Sequence, residues 1–405
     1  MIGTRGVPAR YGGFETCVEE VGSRLAEAGH QVVVFCRSGN GHAEDPVGEQ
    51  PARYRGMELV WLPAVHRRAL ETLSHTARSV LHPALSGSDV ALVFNAANAP
   101  LLPVLRARRI PVATHVDGLE WKRAKWSGLG ARYYRAAESL AVSWSNALIA
   151  DAAGIVEYYN SEFGVETRLI AYGAPITDRS DLGRLDDLDL PAGKFHLLVA
   201  RFEPENHVLE IVQGYVRSRA ELPLVVVGSA PYSASYTQAV RAAADRRVRF
   251  LGGIWDQEQL DQLYAGALTY LHGHSVGGTN PSLLRAAGAA AYTIAYDVGF
   301  NREVLEQFGD YFRTPDDVAA LVEAAEAQPS RVTDRGLLLQ SAARRYDWDE
   351  VASAYALLCE DLAGRRARLR GWTRGVRRGA AAGATSGSNV VAGLAARGRS
   401  TTRGA

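Results

Sequence analysis

Short apolar runs rich in β-branched residues recur along the chain, and segments with helical periodicity separate them. The runs at 32–35 and 224–228 are apolar on both faces, as a parallel strand requires when helices cover both sides of its sheet. A regular alternation of such strands with amphipathic helices predicts an α/β fold with parallel sheets.

The predicted elements form two similar series. In the first series, strands are predicted at 31–36, 58–62, 90–94, 111–114, 147–150 and 168–171. In the second series, they are predicted at 196–200, 224–228, 248–251, 268–271 and 292–296. Helices are predicted at 14–28, 124–143, 206–218, 233–246, 256–265, 318–327 and 348–362.

The alternation of predicted strands and helices is interrupted once, at 173–193, where Pro, Gly and several Asp replace the long apolar runs. We place an interdomain linker there. It joins two Rossmann-like domains, predicted at 1–172 and 194–345, and a closing helix follows at 346–363. Doubly wound domains bind ligands at the carboxyl ends of their strands, so the residues that follow the strands are the candidates for a site.

Charge is distributed unevenly along the 405 residues. Lys and Arg number 45 and Asp and Glu number 44, for a net charge of +1. Residues 364–405 contain ten arginines and no acid, which leaves about −9 on residues 1–363. Residues 1–363 therefore lack the excess of basic residues that is typical of a nucleic-acid-binding protein, and no nucleic-acid partner is expected. The tail at 364–405 is too poor in apolar residues to build a core, and we predict that it is disordered.

Cysteine usage and hydropathy indicate a reducing compartment. Cys17, Cys36 and Cys359 are scattered, and no Cys/His cluster has metal-ligand spacing. No run of about 18 apolar residues is free of polar interruption, and charged residues within the first 20 positions do not fit a signal peptide. We therefore expect a cytoplasmic protein without disulfides or zinc, at most peripheral to the inner membrane face.

Only Met1 and Ile2 precede the loop that begins at Gly3, although a strand usually has about five residues. Two explanations stand: the sheet lacks most of one strand, or the true start lies several codons upstream. We favour the second explanation and expect the added residues to form an apolar strand that ends at Gly3.

Two segments at strand ends have the residues of an anion site. Gly12 and Gly13 precede the first helix, where free N–H groups and the helix dipole favour a phosphate. Arg201 follows the strand at 196–200, and its guanidinium fork suits a diphosphate. Alternatives remain open for both segments: a tight turn without a ligand at the two glycines, and a surface arginine paired with a neighbouring glutamate.

The third segment, 273–284, is the most specific. It follows the strand at 268–271 and leads into a helix that we expect to begin near Pro281, with Asn280 as its N-cap. A simple turn needs one glycine, whereas this segment has two in a row followed by Thr-Asn-Pro-Ser. The candidate anion-binding residues are Gly277, Gly278, Thr279, Asn280, Pro281, Ser282 and Leu283.

The fourth segment, 115–123, follows the strand at 111–114 and combines a histidine, two carboxylates, a tryptophan and two cations. Such a density of polar groups at a strand end marks a candidate reaction centre, with Asp117 and His115 as the catalytic candidates. The alternative is a solvated charged loop that contains a buried tryptophan.

Five segments carry a family resemblance, and they occur in the order GTRGVPARYGGFE, HVDGLEWKRAKW, ARFEPEN, GHSVGGTNPSLL and DVGFNREVL. In that order they resemble the rhamnosyltransferase-like branch of the retaining family 4 glycosyltransferases, which serves bacterial surface polysaccharide biosynthesis. The resemblance runs from residue 1 to about residue 360. It implies a GT-B architecture, in which 1–172 is the acceptor side and 194–345 binds most of a nucleotide-sugar.

The resemblance also implies a reaction: transfer of rhamnose or another hexose, with retention, from a nucleoside diphosphate sugar to a saccharide or lipid-linked acceptor. Arg201 would contact the donor diphosphate in binding and in catalysis, and backbone around Gly278 would bind the distal phosphate and the sugar. Gly12 and Gly13 would approach from the opposite wall, while Asp117 and His115 would orient the acceptor or the developing charge. No metal or cofactor is implied, because arginine and a helix dipole replace the metal.

The chain departs from the wider family around the third segment, where two glutamates eight positions apart are usual. Here these positions are Gly277 and Arg285, and Asn206 stands where a lysine is common. Gly277 and Asn206 suit the branch. Arg285 does not, because a cation cannot accept hydrogen bonds from the ribose hydroxyls.

Two other functions remain consistent with these residues. One is a catalytically weak homologue that binds a nucleotide-sugar and supports a partner transferase. The other is a nucleotide-sugar epimerase of the same fold, which would convert the donor without an acceptor. We further expect the arginine-rich tail to attach the protein to an anionic membrane surface, the alternative being a tail without a role.

Overall fold

The computed structural model describes residues 1–9, 12–38, 50–65, 70–116, 119, 121, 128–179, 182–228 and 234–365. Residues Met1–Ala356 form one compact unit, and Leu357–Ala405 are grouped as a second. In the second unit, the described residues 357–365 are helical, and Arg365 pairs with Asp361 at 2.8 Å. The rest of this section concerns the first unit.

The first half of this unit contains seven strands and five helices among its described residues. Its strands are β1 (Val33–Ser38), β2 (Arg53–Tyr54), β3 (Met57–Pro63), β4 (Ala91–Phe94), β5 (Val112–Val116), β6 (Ala147–Ala150) and β7 (Arg168–Leu169). Its helices are α1 (Gly13–Glu27), α2 (Glu71–Leu81), α3 (Leu102–Ala107), α4 (Leu129–Trp144) and α5 (Ala153–Phe163). The strands pair in the orders β1-β3-β2 and β4-β5-β6-β7, and every pair except β2–β3 is parallel.

The first two residues lie between these two sheets. Ile2 forms a parallel bridge with Val93, and its N–H donates to Leu92 at 2.9 Å. On the other side, the N–H of Phe35 donates to the backbone oxygen of Met1 at 3.1 Å. Met1 and Ile2 therefore occupy a strand position that joins β1 to β4.

The second half forms one parallel sheet in the order β10-β9-β8-β11-β12-β13. Its strands are β8 (His196–Val199), β9 (Leu224–Val227), β10 (Val248–Gly252), β11 (Thr269–His272), β12 (Tyr292–Tyr296) and β13 (Asp310–Phe312). Its helices are α6 (Val208–Arg217), α7 (Ala234–Ala243), α8 (Gln257–Gly266), α9 (Pro281–Gly288), α10 (Gly299–Leu305), α11 (Pro315–Ala327) and α12 (Pro329–Ala343). Residues 348–356 of this unit are helical as well, within the predicted closing helix. The strand order reverses between β8 and β11, which is where a doubly wound sheet opens a crevice for a ligand.

Strand β9 shows why these sequences form a covered parallel sheet. Leu224 and Val226 pack into the apolar cluster on one face, whereas Val225 and Val227 pack into the cluster on the other. All four side chains are at most 3% exposed. Burial on both faces with a period of two residues is what the continuous apolar run predicts.

The predicted α/β class is confirmed, and the predicted strands match observed ones to within two residues at either end. Strands β2 and β13 and helices α2, α3, α5, α10 and α12 are absent from the predicted set. The two strands are two and three residues long, so periodicity gives no signal for them. Of the predicted tail at 364–405, only 364 and 365 lie within the described residues, and both are helical. None of the described helices is both long and apolar enough to cross a membrane.

Candidate functional site

Asn206 joins the loops that follow β8 and β11. Arg201 lies two residues beyond β8 and is exposed, whereas Asn206 is 5% exposed. The side-chain Nδ2 of Asn206 donates to the backbone oxygen of Arg201 at 2.8 Å, and its Oδ1 bonds His274 Nδ1 at 2.8 Å. The side chain thus uses both polar atoms to fix one loop against the other.

Further hydrogen bonds connect the same two loops. His207 Nδ1 bonds the backbone oxygen of Gly273 at 2.8 Å. Both the N–H and the hydroxyl of Ser275 donate to the backbone oxygen of Glu205, at 3.0 and 2.9 Å. The carboxyl-end edge of the second sheet is therefore held in one arrangement by its own polar groups.

Helix α9 begins as the sequence predicts. Pro281 is its first residue, and Asn280 is its N-cap, with Oδ1 accepting the N–H of Ser282 at 2.8 Å. The N–H of Leu283 donates to the backbone oxygen of Asn280 at 3.0 Å, so these two N–H groups already have partners in the chain. Gly277, earlier in the loop, has a φ of +127°, a conformation that favours glycine.

The corresponding edge of the first half contains the start of α1. Gly12 is the N-cap and Gly13 the first helical residue. Glu15 in the first turn accepts the backbone N–H of Arg5 at 2.9 Å, which ties the loop that begins at Gly3 to the helix. A carboxylate in this position also interacts favourably with the helix dipole.

The two edges face each other. A Cβ built on Gly13 would lie 3.2 Å from Pro281 Cγ and 3.6 Å from Tyr172 Cε2. The first residue of α1 and the first residue of α9 are thus in contact across the two halves. The structure therefore brings together the two segments in which the sequence predicts anion sites.

His115 lies within β5 and is 1% exposed. Aromatic rings surround it, with centroid distances of 5.2 Å to Phe14, 5.6 Å to Phe94 and 5.7 Å to Tyr172. Neither ring nitrogen has a hydrogen-bond partner in the part of the chain that the structure describes. Burial lowers the pKa of His115 to about 3, so the imidazole is neutral at pH 7 and offers one donor and one acceptor.

The other catalytic candidate, Asp117, lies outside the described residues. Of the segment 115–123, the structure describes His115, Val116, Leu119 and Trp121. The guanidinium of Arg135 on α4 lies 4.8 Å from the centroid of the Trp121 ring, which is cation–π distance.

Arg285 contacts helix α8. Its Nε donates to Asp261 at 2.5 Å, and its two terminal nitrogens donate to the side-chain and backbone oxygens of Gln257, both at 2.9 Å. Three hydrogen bonds therefore direct this guanidinium toward α8. The residue that departs from the family pattern ties α9 to its neighbouring helix.

Asp151 is a residue of this region that the sequence motifs do not single out. It directly follows β6, is 3% exposed, and its backbone oxygen accepts the hydroxyl of Thr279 at 2.7 Å. The sequence signal that could have identified Asp151 is its position, as an aspartate at the carboxyl end of an apolar strand. Its contact with the glycine-rich loop, 128 residues further along, depends on the tertiary fold.

Two family profiles match the chain. One, described as a glycosyl transferase 4-like domain, matches residues 12–173, and the other, glycosyl transferases group 1, matches residues 194–328. No curated protein sequence matches the chain.

Three solved structures have a similar fold. Anabaena HepE in complex with UDP-glucose superposes with a TM-score of 0.70 at 15% identity, covering 88% of this chain and 98% of that one. Sucrose-phosphate synthase from Thermosynechococcus elongatus gives 0.70 at 20% identity, covering 87% and 94%. A glycosyltransferase from Rickettsia africae gives 0.57 at 11% identity, covering 88% and 97%. At these identities the likeness concerns the fold.

The two domain matches and the fold define the class of this protein: it is a glycosyltransferase of GT-B architecture. More particularly, the chain combines a glycosyl transferase 4-like domain at 12–173 with a glycosyl transferases group 1 domain at 194–328. The GT-B architecture implied by the sequence resemblance is thereby confirmed.

Proposed function

We propose that the protein transfers rhamnose or another hexose, with retention of configuration, from a nucleoside diphosphate sugar to a saccharide or lipid-linked acceptor in cell-surface polysaccharide biosynthesis. The observation that carries this proposal is the contact of Gly13 with Pro281. It brings the glycine-rich start of α1 next to the start of α9, which directly follows the other glycine-rich loop. That loop is hydrogen-bonded, through His274 and Asn206, to the loop that contains Arg201.

The donor diphosphate is proposed to bind at the edge of the second sheet. Arg201 supplies a guanidinium fork there, and the hydrogen bonds of Asn206 hold its backbone in place. The loop around Gly277 and Gly278 brings backbone close to a ligand without side-chain obstruction. HepE, which shares this fold, is described in complex with UDP-glucose, and this supports a UDP-sugar as the first donor to test.

In the proposed reaction, an acceptor oxygen forms a bond to the anomeric carbon while the bond from that carbon to the diphosphate breaks. Charge builds on the departing phosphate, and preorganised donors such as Arg201 stabilise it. The leaving phosphate takes the acceptor proton on the same face of the sugar, so retention needs no covalent nucleophile from the protein. Neutral His115, with both nitrogens unpartnered within the described chain, is suited to orient a hydroxyl. Asp117 is assigned the same task from the sequence alone.

The test is a panel of radiolabelled UDP-, dTDP- and GDP-sugars incubated with mono- and oligosaccharide acceptors and with a polyprenyl diphosphate-linked sugar. We expect one donor to give a product in which the transferred sugar keeps the anomeric configuration of the donor, as measured by NMR. The reaction should continue in EDTA, because no metal is part of the proposal. Inversion of configuration would contradict the mechanism, and conversion of a donor without any acceptor would favour an epimerase.

Arg285 favours a second candidate, a nucleotide-sugar-binding homologue without efficient transfer. Its guanidinium is directed at Asp261 and Gln257, and it cannot accept hydrogen bonds from ribose. The same panel separates the two functions. Specific nucleotide binding, seen as a rise in melting temperature, without product from any acceptor would favour the second candidate.

Attachment to a membrane through residues 364–405 is also part of the proposal. The ten arginines of this segment and its lack of acids support contact with an anionic surface. Such contact would hold the enzyme beside a lipid-linked acceptor.

A further inference from the structure

Asp151 is a buried carboxyl group at the proposed site to which the mechanism above gives no role. It follows β6 directly and is 3% exposed, and its Oδ1 has no hydrogen-bond partner among the residues that the structure describes. A buried carboxyl oxygen without a partner is costly, so its surroundings require a physical explanation.

The glycine-rich loop lies directly on this carboxyl group. A Cβ added to Gly278 would overlap Asp151 Oδ1 and would lie 2.6 Å from its Cγ. Gly278 is not among the glycines with positive φ, so its backbone conformation does not itself require glycine. The carboxyl group of Asp151 is therefore the steric reason for a glycine at 278. Thr279 fixes the same contact through its hydroxyl, which donates to the backbone oxygen of Asp151 at 2.7 Å.

Among the described residues, no positive charge compensates the ionised form of this carboxyl group. From α10, Glu303 faces it and accepts the N–H of Ala153 at 3.1 Å. From α1, the buried thiol of Cys17 faces it, and this thiol contacts Tyr355 at 3.6 Å. Within the described residues, no basic side chain bonds Asp151. The facing loop contacts it through Thr279, whose side chain is uncharged.

Burial is the main cause that raises the pKa of Asp151 to about 7, and Glu303 raises it further. The backbone N–H groups of Asp151 and Thr279 act in the opposite direction. The carboxyl group is thus divided between its two protonation states near neutral pH, where a nearby ligand charge changes the balance.

We propose that Asp151 is a positioning residue for the glycine-rich loop, and that binding of a nucleoside diphosphate at this loop is coupled to uptake of one proton by its carboxyl group. The second part rests on the function proposed above, because it assumes that the loop binds the diphosphate. An ionised Asp151 beside Gly278 would repel a diphosphate at the same loop. The protonated group removes that repulsion and keeps the loop packed.

The first test compares UDP binding by wild-type protein and Asp151→Asn, by calorimetry from pH 6.5 to pH 8.5 in two buffers of different ionisation enthalpy. Wild-type protein should take up a fraction of a proton on binding, and its Kd should rise by up to about tenfold per pH unit above pH 7. Asp151→Asn keeps the shape of the side chain and should show only the proton linkage of UDP itself. Glu157→Gln, which removes an exposed carboxylate on α5, should behave as wild type.

The second test concerns the contact itself and needs no ligand. Gly278→Ala should lower the melting temperature, because its methyl group meets the carboxyl group. Combined with Asp151→Ala, the same substitution should cost much less, because the obstructing group is gone. The melting temperature of Asp151→Asn relative to wild type should also rise from pH 5 to pH 8. The pKa of the Asp151 carboxyl group is raised from 3.8 to about 7. Its contribution to stability is therefore fully present below pH 3.8 and is lost as the pH rises through about 7.

The outcomes separate the two proposals. Failure of wild-type protein to bind UDP or any donor of the panel would contradict the proposed function, while the melting temperatures would still decide the positioning role. UDP binding with the same pH profile in wild type and Asp151→Asn would overturn the coupling alone. A Gly278→Ala cost that is unchanged by Asp151→Ala would overturn the positioning role.

Discussion

The two strand-end edges that face each other in this glycosyltransferase differ in how their polar groups are used. On the second-half edge, Asn206 bonds Arg201 and His274, and His207 bonds Gly273. On the first-half edge, neither nitrogen of His115 has a partner within the described chain, and the same is true of Asp151 Oδ1. Side-chain hydrogen bonds link the loops of the second edge, although Glu205 Oε2 and His272 Nε2 also lack a partner among the described residues. On the first edge, His115 lacks such a partner at both of its ring nitrogens.

This difference predicts that the polar groups of the second edge contribute mainly to stability, whereas those of the first edge are available for function. A satisfied buried hydrogen bond contributes about 0.5–1.5 kcal/mol, whereas a buried polar atom without a partner costs about 1–3 kcal/mol. The second edge should therefore be preformed for the donor and sensitive to mutation in its folding. The first edge carries groups that lower stability, as expected where a substrate has to be bound.

The largest effect is expected for Asn206→Ala. It removes two hydrogen bonds at a residue that is 5% exposed and leaves His274 Nδ1 and the backbone oxygen of Arg201 without this partner. We expect the free energy of unfolding to fall by about 2–4 kcal/mol, with weaker donor binding. Urea unfolding and UDP titration measure the two effects.

Asn206→Asp is the matched variant. It keeps an acceptor for His274 but sets a buried carboxylate oxygen, in place of a donor, against the backbone oxygen of Arg201, so it should lose at least as much stability as Asn206→Ala. Equal stability of wild type and Asn206→Ala would contradict the view that this edge is held by its own side chains.

The next effect is expected for Arg201→Ala, which removes an exposed guanidinium after β8. Loss of a charge-assisted bond to the diphosphate should cost about 1.5–3 kcal/mol in transition-state stabilisation, or more. Catalytic efficiency should therefore fall by about tenfold or more with little change in melting temperature. Steady-state kinetics with the donor identified by the panel measures this fall in catalytic efficiency.

Arg219→Ala is the control, because Arg219 is also an exposed arginine of the second half but lies ahead of β9, paired with Glu323 at 3.0 Å. Transfer by Arg219→Ala should equal that of wild type. Unchanged kinetics in a folded Arg201→Ala would refute the assignment of this residue to the diphosphate.

The smallest effect on stability is expected for His115→Leu. It replaces an imidazole without described partners by an apolar side chain of similar size, so the free energy of unfolding should stay within about 1 kcal/mol of wild type or rise. Transfer should fall, because the group that orients a hydroxyl is lost. Chemical unfolding and kcat, measured on the same preparation, separate these two consequences.

His196→Leu sharpens the comparison. This histidine is also fully buried in a strand, but its two nitrogens bond Thr269 at 2.7 Å and Glu326 at 3.0 Å. The same substitution should therefore destabilise the protein by about 1–3 kcal/mol. Equal losses of stability at the two histidines would contradict the distinction between paired and unpaired buried groups.

Much of the fold was predictable because its signals are local. The bounds of β6 and β12 agree with the prediction residue for residue. Strand β6 is an apolar run between polar residues, and β12 is a run rich in aromatic and β-branched residues that ends before Asp297. The N-cap of α9 was equally predictable, because Asn280 and Pro281 satisfy the helix start within three residues. Strand β13, Asp-Tyr-Phe, carries no such signal, and it forms a strand because β12 lies beside it.

The candidate site was only partly predictable. The motifs were assigned to strand ends, and such ends meet in a doubly wound fold. The sequence did not predict that Arg285 would bond Asp261 and Gln257 on α8, because a guanidinium on a flexible stem selects its partners in three dimensions. Asp151 was missed for a similar reason, since a single aspartate after a strand has no motif around it.

The sequence by itself determined the α/β class and the parallel strands, because apolar periodicity and capping residues act over a few neighbouring positions. The anion-binding role of the glycine-rich loops stays a prediction from the same local signals. Only the tertiary structure decided that Gly13 meets Pro281 and that Gly278 lies on the carboxyl group of Asp151. These contacts join residues more than 100 positions apart. Their chemistry arises from burial and from the absence of compensating charge among the described neighbours, and neither is encoded in any short stretch of sequence.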